Sequence, residues 1–178
     1  QYLNDGDMIL CRTNAPLVRP CFELIRNGKK AIIRGRDIGQ GLSSLVDKMK
    51  SHTIVDMLIS LNDYVSKETT KLLAMEKENQ AQALQDRKDT IVALCDGVST
   101  IVELKAKIGM IFSDDSEGIV FSSVHKSKGL EADNVYILRP DLLPHPMAKR
   151  DWEQVQEMNI EYVAYTRAKD NLYIIDGK

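Results

Sequence analysis

Residues Ser122–Asp133 (SSVHKSKGLEAD) bring together side chains that could bind a phosphorylated ligand. Hydroxyls, an imidazole and ammonium groups can donate to phosphate oxygens, and the Glu131 carboxylate can accept from ribose hydroxyls. The segment follows a predicted strand, and ligands of open α/β sheets bind outside the carboxyl ends of the strands. A polar loop between two strands would have the same composition, so composition alone leaves both interpretations open.

Two further segments place arginines next to predicted strands. In the stretch Glu161–Lys169 (EYVAYTRAK), Arg167 and Lys169 come near the end of a predicted helix. Cations there complement the helix dipole, but an arginine can also stabilise charge on a phosphoryl group during its transfer. Arg12 follows the first predicted strand, where a ligand-binding arginine and a solvated loop arginine are equally consistent with the sequence.

Hydrophobic periodicity predicts the elements that must position these segments. A strand–helix–strand unit over residues 7–35 implies parallel pairing with a right-handed crossover. Residues 41–112 lack proline and have helical periodicity, with capping-box spacing at Thr100–Glu103 and a very polar stretch at Met75–Asp89 that predicts an exposed helix. Further strands are predicted at Gly118–His125, Asn134–Arg139 and Asn171–Asp176, with a helix at Asp151–Lys169. The fold class is therefore α/β, a parallel sheet flanked by helices, with an all-helical insertion between the second and third strands.

Composition limits the class of protein. The chain has 178 residues and a formal net charge of -2, with 43% hydrophobic and 28% charged residues, which is an ordinary globular mixture. No apolar run approaches the roughly 20 residues of a membrane-spanning helix, and no secretory signal is visible. The three cysteines are far apart, which argues against a disulfide framework and favours a reducing cytoplasm. The histidines are also scattered, so we expect no metal site.

In their order and spacing, three stretches resemble the later motifs of the superfamily 1 DNA helicases of the UvrD/Rep/PcrA type. The stretch ILCRTNAPLVRPCFELIRNGKKAIIRG is similar to the motif IV region, SSVHKSKGLEADNVYIL to motif V, and EYVAYTRAKDNLYI to motif VI. The resemblance covers about residues 7–40 and 118–176, whereas residues 41–112 carry none. It implies a RecA-like fold and the second of two motor domains that clamp ATP between them.

The resemblance also implies roles for residues at the ATP site. By this resemblance Arg12 and Arg167 would contact the γ-phosphate. Glu131 would contact the ribose, with Gly129 allowing close approach and Lys128 beside it. The sequence contains no GxxxxGK[ST] loop and no strand ending in an Asp-Glu pair. We therefore expect ATP and Mg²⁺ to be held largely by an N-terminal RecA-like domain of a longer protein, and this chain alone to be inactive.

Motif V further implies contact with nucleic acid. Ser123 and His125 would contact single-stranded DNA or a single/double-strand junction, in the manner of sequence-independent phosphate contacts. The expected partners are thus DNA and the N-terminal domain, with no membrane. The expected location is the cytoplasm of a bacterial or phage-infected cell.

The sequence leaves the domain roles and the activity open to other interpretations. Residues 1–40 and 113–178 are predicted to form the motor domain, with residues 41–112 replacing or reducing the family's accessory subdomain. The alternative function is a catalytically inactive helicase-like module that binds DNA or protein. A hydrolase that uses Cys11 or Cys95 with His125 is a third class, to which the apolar surroundings of both cysteines give little support.

Overall fold

The computed structural model describes residues 3–115, 117–146 and 148–175. The strands in this part of the chain are β1 (Met8–Cys11), β2 (Ala31–Arg34), β3 (Phe112–Ser113), β4 (Ile119–Ser123), β5 (Ala132–Leu138) and β6 (Ala168–Ile175). The α-helices are α1 (Ala15–Arg26), α2 (Arg36–Lys48), α3 (Ile54–Ala74), α4 (Glu78–Leu94), α5 (Ile101–Ile111) and α6 (Asp151–Tyr165). Short 3₁₀ helices span Val124–Ser127 and Pro140–Leu142.

All six strands form one parallel sheet in the order β3-β2-β4-β1-β5-β6. This confirms the predicted α/β class, with a parallel sheet flanked by helices as in RecA-like folds. The last strand begins at Ala168, three residues before its predicted start. Its predicted end at Asp176 lies outside the described residues.

The central strand β1 is buried on both faces, which is why it is a continuous apolar run. Successive side chains of a strand point to opposite faces of the sheet. Ile9 and Cys11 accordingly pack into the larger core, which helices α1 to α5 cover. Met8 and Leu10 pack into the smaller core on the other face, which is covered by α6.

The helices of residues 41–112 contribute directly to the larger core. Buried side chains of α3 and α5, such as Leu61 and Ile108, belong to the same cluster as Ile9 of β1. Residue 41 lies inside α2, so the predicted insertion begins within a helix whose Leu42, Leu45 and Val46 are buried against the sheet. None of the described helices is both long and apolar enough to cross a lipid bilayer.

The capping box predicted at Thr100–Glu103 is confirmed. The Thr100 hydroxyl accepts from the Glu103 backbone N–H at 3.2 Å, and the Glu103 carboxylate accepts from the Thr100 backbone N–H at 3.2 Å. Two amides that have no partner inside the helix are thereby satisfied at the start of α5. The helix ends at Ile111, and the next two residues pair with β2 as β3, a strand that the sequence analysis missed.

Candidate functional site

The predicted site residues lie at two opposite edges of the sheet. Arg12 follows β1, and Ser123 and His125 lie at the end of β4, so all three occupy the edge where the parallel strands end. Glu131 precedes β5 and Arg167 precedes β6, so both occupy the edge where the strands begin. These are called the C-terminal edge and the N-terminal edge below.

The structure does not bring Arg12 and Arg167 together. In the register of the sheet, Leu10 of β1 is paired with Ile137 of β5, and Ile137 is paired with Ile174 of β6. The two arginines are therefore separated by about nine residues along the strand direction, or roughly 30 Å at the usual rise of a strand. One γ-phosphate could not contact both side chains in this arrangement.

The segment 124–131 connects the two edges. Because β4 and β5 are parallel, the chain must return from the end of one to the start of the other. It does so through the 3₁₀ helix Val124–Ser127, in which the buried Ser127 hydroxyl donates to the Val124 carbonyl at 2.8 Å. The Leu130 backbone N–H then donates to the Ser127 carbonyl at 2.9 Å, which holds the segment in a compact turn.

At the N-terminal edge, Arg167 is fixed by its own chain. Its Nε donates to the Val163 carbonyl at 3.0 Å and its Nη1 to the Leu130 carbonyl at 3.2 Å, while Nη2 donates to the Thr166 hydroxyl at 3.2 Å. A guanidinium has five N–H donors, so two N–H groups of Arg167 are left for a ligand. The side chain thus joins the end of α6 to segment 124–131 and still has donors for an anion.

The residues beside Arg167 form an open surface. Lys128, Gly129 and Glu131 are all exposed. Gly129 has a φ of +82°, a left-handed conformation that favours glycine, and no atom lies within 4 Å of where a Cβ would be. A ligand can therefore approach the backbone closely here, next to the exposed residues Lys128 and Glu131.

At the C-terminal edge, Arg12 forms a bidentate ion pair with Glu157 of α6. Its Nε and Nη2 donate to the two carboxylate oxygens at 2.9 and 2.6 Å, and the side chains are only 12% and 7% exposed. Burial opposes ionisation of Glu157, but the hydrogen bonds from Arg12 and from the His145 backbone N–H outweigh it and lower the pKa of this carboxyl. The positive charge of Arg12 is therefore already compensated within the protein.

Two imidazoles lie beside this ion pair. Partial burial, followed by the positive charge of Arg12, lowers the pKa of His125, which remains accessible to solvent. The same two causes, in the same order, lower the pKa of His145. The Nδ1 atom of His145 lies 2.7 Å from the Gln82 amide nitrogen, and its backbone N–H donates to Glu157 at 2.9 Å. Both imidazoles are therefore biased toward their neutral form at physiological pH.

Helix α4 contributes to the C-terminal edge, and the sequence analysis did not foresee this. Glu78, Gln82 and Asp86 follow one another at intervals of four residues, so they share one face of the helix. Their contacts are Glu78 to Arg150 at 2.6 Å, Gln82 to His145 at 2.7 Å, and Asp86 to the Asn14 backbone N–H at 3.1 Å. The polar stretch that predicted exposure therefore builds one wall of this edge.

Between α4, α6 and the C-terminal edge lies an open cavity of about 430 Å³. Its walls include the predicted DNA-binding residues Ser123 and His125, together with Arg12. From the helices, Gln82 of α4 and Glu157 of α6 line it. Ser123 is nearly buried, at 5% exposed, so His125 is the more accessible of the two predicted contacts.

The cysteines have the properties of core residues. Burial raises the pKa of Cys11 to about 11 and that of Cys21 to about 12, and it also raises the pKa of Cys95. A thiol with such a pKa is almost wholly protonated near neutral pH and is a poor nucleophile. Over residues 3–115, 117–146 and 148–175, no three His, Cys, Asp or Glu side chains are grouped so that they could hold a metal ion.

Comparison with known proteins gives a family match that covers most of the chain. Residues 46–178 match the model of a family described as the UvrD-like helicase C-terminal domain. The ATP-dependent DNA helicase PcrA of Staphylococcus aureus is 28% identical over 147 residues, which cover 76% of this chain and 20% of that relative. The ATP-dependent DNA helicase PcrA of Staphylococcus epidermidis is 39% identical over 70 residues, covering 36% of this chain and 10% of the relative. The chain thus spans only about a fifth of the length of the Staphylococcus aureus protein.

Proposed function

The chain belongs to the family of UvrD-like helicase C-terminal domains, and on this premise we propose that it is the C-terminal motor domain of an ATP-dependent DNA helicase. Residues 1–40 and 113–178 form the motor domain in this proposal, and residues 41–112 take the place of an accessory subdomain. The N-terminal edge faces a nucleotide, and the C-terminal edge faces single-stranded DNA. The nucleotide site is completed by an N-terminal RecA-like domain of the longer protein.

The N-terminal edge suits a nucleotide because its donors, its acceptor and its open backbone lie side by side. Arg167 is preoriented by three hydrogen bonds and has two N–H groups left, so it can stabilise charge on a phosphate without reorganising. Gly129 allows close approach to the backbone, and Glu131 can accept from ribose hydroxyls. Hydrolysis of bound ATP would supply the free energy for movement, and Mg²⁺ would be held by ligands in the N-terminal domain.

We assign Arg12 to the DNA-facing edge rather than to the γ-phosphate. It lies roughly 30 Å along the strands from Arg167, and Glu157 neutralises its charge. Its contact with Glu157 fixes α6 against the end of β1, next to His125. Arg12 therefore positions the residues that contact DNA.

The observation that carries the proposal is the course of segment 124–131. His125, near its first residue, lies at the DNA-facing edge, and its last residue, Glu131, lies beside Arg167. Arg167 also donates directly to the Leu130 carbonyl in this segment. A displacement of Arg167 and Glu131 on nucleotide binding would therefore reach His125 through five intervening residues or fewer. The affinity for DNA would then change with the nucleotide state.

The outer surface of α6 supports a neighbouring domain in the longer protein. Two acidic side chains of this helix, Glu153 and Glu157, are buried, whereas several of its large apolar side chains face solvent. The outward-facing residues are Trp152, Val155, Met158, Tyr162 and Tyr165, which are 46%, 58%, 65%, 69% and 38% exposed. An apolar stripe of this kind marks an interaction surface. It leads along α6 to the Arg167 end, where the N-terminal domain would complete the nucleotide site.

The proposal is tested by DNA-stimulated ATP hydrolysis of the full-length parent protein, with Arg167→Ala beside the wild type. We expect single-stranded DNA to stimulate the wild type and the variant to lose about 10³-fold in hydrolysis rate, the usual scale when an arginine finger is removed. DNA affinity should remain near that of the wild type, because Arg167 lies at the opposite edge from His125. Lys169→Ala, an exposed cation two residues away, is the matched control and should keep full activity.

Arg167 also caps α6, so a structural role must be separated from a chemical one. Arg167→Lys keeps the positive charge but loses the planar guanidinium group and its paired N–H donors. Both variants are checked for a wild-type melting temperature. A variant that hydrolyses ATP as fast as the wild type would contradict the proposal and favour an inactive DNA- or protein-binding module. Loss of DNA binding together with hydrolysis would indicate a folding defect, and the assignment of Arg167 would fail.

A further inference from the structure

Near the N-terminal edge, three neighbouring strands are joined through their side chains. Asn134 of β5 donates from Nδ2 to the carboxylate of Asp7, just before β1, at 2.9 Å, and its Oδ1 accepts from the side-chain amide of Asn171 of β6 at 2.9 Å. Asp7 is only 3% exposed, and its other carboxylate oxygen accepts from the Asn4 backbone N–H at 2.9 Å. These side chains form one hydrogen-bonded row, called the Asp7–Asn134–Asn171 row below, which ties β6 to the central strand.

Strand β6 contains one extra residue beside this row. Between the pairs Ala132–Ala168 and Asn134–Asn171, β5 has one residue and β6 has two. This is a β-bulge, an irregularity that is common next to functional sites and redirects the side chains around it. It lies directly after Arg167, whose carbonyl accepts from the Ala132 backbone N–H at 3.1 Å. The bulge therefore sets the position of Arg167 against the start of β5.

The side chains on both strands fix the register that this bulge requires. A one-residue slip of β6 would turn the Asn171 side chain to the other face of the sheet, away from Asn134. It would also move Arg167 by roughly 3.3 Å along the strand, the rise of one residue. Two residues further on, the rings of Tyr136 and Tyr173 stack at 4.7 Å between centroids and support the same register. Two cross-strand pairs thus oppose any displacement of Arg167.

We propose that Asn134 is a positioning residue for Arg167. Through the Asp7–Asn134–Asn171 row it holds the bulge of β6 in the register in which Arg167 meets a nucleotide phosphate. Both polar atoms of the Asn134 side chain are hydrogen-bonded inside the protein, so it acts through Arg167 and not on the ligand. The inference deepens the proposed function and rests on it.

The first test combines Asn134→Ala with Arg167→Ala in the full-length parent protein and measures kcat for DNA-stimulated ATP hydrolysis. We expect Asn134→Ala alone to lower kcat about 10²-fold, the scale that a misplacement of roughly 1 Å can cost, and to leave DNA affinity unchanged. Added to Arg167→Ala, it should lower kcat no further, because its effect passes through the side chain already removed. Asn62→Ala, which removes an exposed amide that accepts from Lys88 in the helical block, is the matched control and should keep the wild-type kcat.

A second readout needs no nucleotide. The Ala132 amide donates to the Arg167 carbonyl at the bulge, so its hydrogen exchange in the 178-residue chain reports on the register. Nuclear magnetic resonance should show this exchange about tenfold faster in Asn134→Ala, the equivalent of one ordinary hydrogen bond. The exchange rate should not change in Asn62→Ala.

An exchange of the two side chains keeps the test valid if Asn134→Ala folds poorly. Asn134→Asp places two carboxylates side by side and should hydrolyse ATP slowly. In the double variant D7N/N134D each hydrogen bond of the row can form again, because the amide at position 7 donates to the carboxylate at position 134. We expect D7N/N134D to be about tenfold faster than Asn134→Asp, as for regained hydrogen bonds to a charged group.

The possible outcomes separate this inference from the proposed function. If the wild type hydrolyses ATP and Asn134→Ala is equally fast, or if Ala132 exchange does not change, the inference is overturned and the proposed function stands. The same holds if Asn134→Ala lowers kcat equally with and without Arg167, or if D7N/N134D stays as slow as Asn134→Asp. If the wild type itself does not hydrolyse ATP, the proposed function fails and the inference fails with it.

Discussion

Arg12 and Arg167 each lie next to a strand, Arg12 after β1 and Arg167 before β6, and their surroundings in the fold differ. Arg12 meets Glu157, a residue 145 positions away, in a nearly buried ion pair. Arg167 meets only carbonyl and hydroxyl oxygens, most of them within four residues. An arginine held by neutral acceptors keeps its charge for a ligand, whereas one held by a carboxylate does not. The partner, more than the arginine itself, decides what each side chain can do.

The first residue-scale prediction concerns the partner of Arg12. Glu157→Gln leaves the guanidinium with no compensating charge in a site where it is only 12% exposed. We expect the free energy of unfolding at neutral pH to fall by about 3 kcal/mol, the usual scale when one partner of a buried pair is removed. Urea unfolding monitored by circular dichroism measures the loss. Glu161→Gln on the same helix, where the carboxylate only accepts from the Tyr165 hydroxyl, should change stability little.

The pH dependence of that difference follows from the lowered pKa of Glu157. A carboxyl group whose pKa is lowered by folding stabilises the protein fully above its unfolded pKa, near 4.5, and stops doing so as the pH falls through its folded pKa. The stability gap between the wild type and Glu157→Gln should therefore be constant at neutral pH and narrow only below about pH 4.5. If the difference in unfolding free energy between the two proteins stayed the same at strongly acidic pH, the charge of the ion pair would contribute nothing to stability.

At the scale of elements, α4 is helical and largely exposed, as its polar stretch predicts, but sequence reasoning did not foresee its contacts with the C-terminal edge. The polar stretch of this helix predicts an exposed surface, but Asp86 accepts a hydrogen bond from the backbone N–H of Asn14 at the start of α1. The side chain of Asn14 makes no capping hydrogen bond, and the acceptor at this helix start is Asp86, a residue 72 positions away. The capping box at Thr100–Glu103 could be predicted because both partners are three residues apart. The hydrogen bond from Asn14 to Asp86 could not be predicted, because its partners are 72 residues apart and no local sequence pattern indicates it.

This arrangement predicts a local change in the protection of α1. Removing the acceptor in Asp86→Ala exposes the Asn14 backbone N–H, so its hydrogen exchange should become about tenfold faster, equivalent to one ordinary hydrogen bond. Exchange at buried amides of β1 should not change. Nuclear magnetic resonance of the labelled chain measures both sets of amides. Asp89→Ala, which removes an exposed carboxylate bonded only to Gln85, is the control, and an equal effect there would refute the capping role.

At the scale of the whole molecule, the sheet was predictable and the packing of the helical block was not. Apolar runs bounded by turn residues predicted five of the strands, since strand patterns are local. The two-residue strand β3 was missed because it forms only where the chain leaves α5 beside β2. The common core of sheet and helical block also depends on contacts between distant residues. Two opposite edges with different chemistry therefore emerge only from the assembled fold.

The shared core leads to a last prediction, on cooperativity. Leu61 of α3 is fully buried in the cluster that contains Ile9 of β1, so Leu61→Ala should destabilise the whole chain by about 3 kcal/mol. Fluorescence of Trp152, the only tryptophan, reports on α6 on the other face of the sheet, and far-ultraviolet circular dichroism reports mainly on the helices.

Both signals should shift together to lower urea concentration, because one core unfolds as one unit. Ile59→Ala, an exposed position of the same helix, should shift neither. If only the dichroism transition moved while that of Trp152 stayed in place, residues 41–112 would be an independent unit packed against the sheet. A single transition would instead mean that the helical block does not separate from the sheet without unfolding, so that α4 remains at the C-terminal edge in the folded chain.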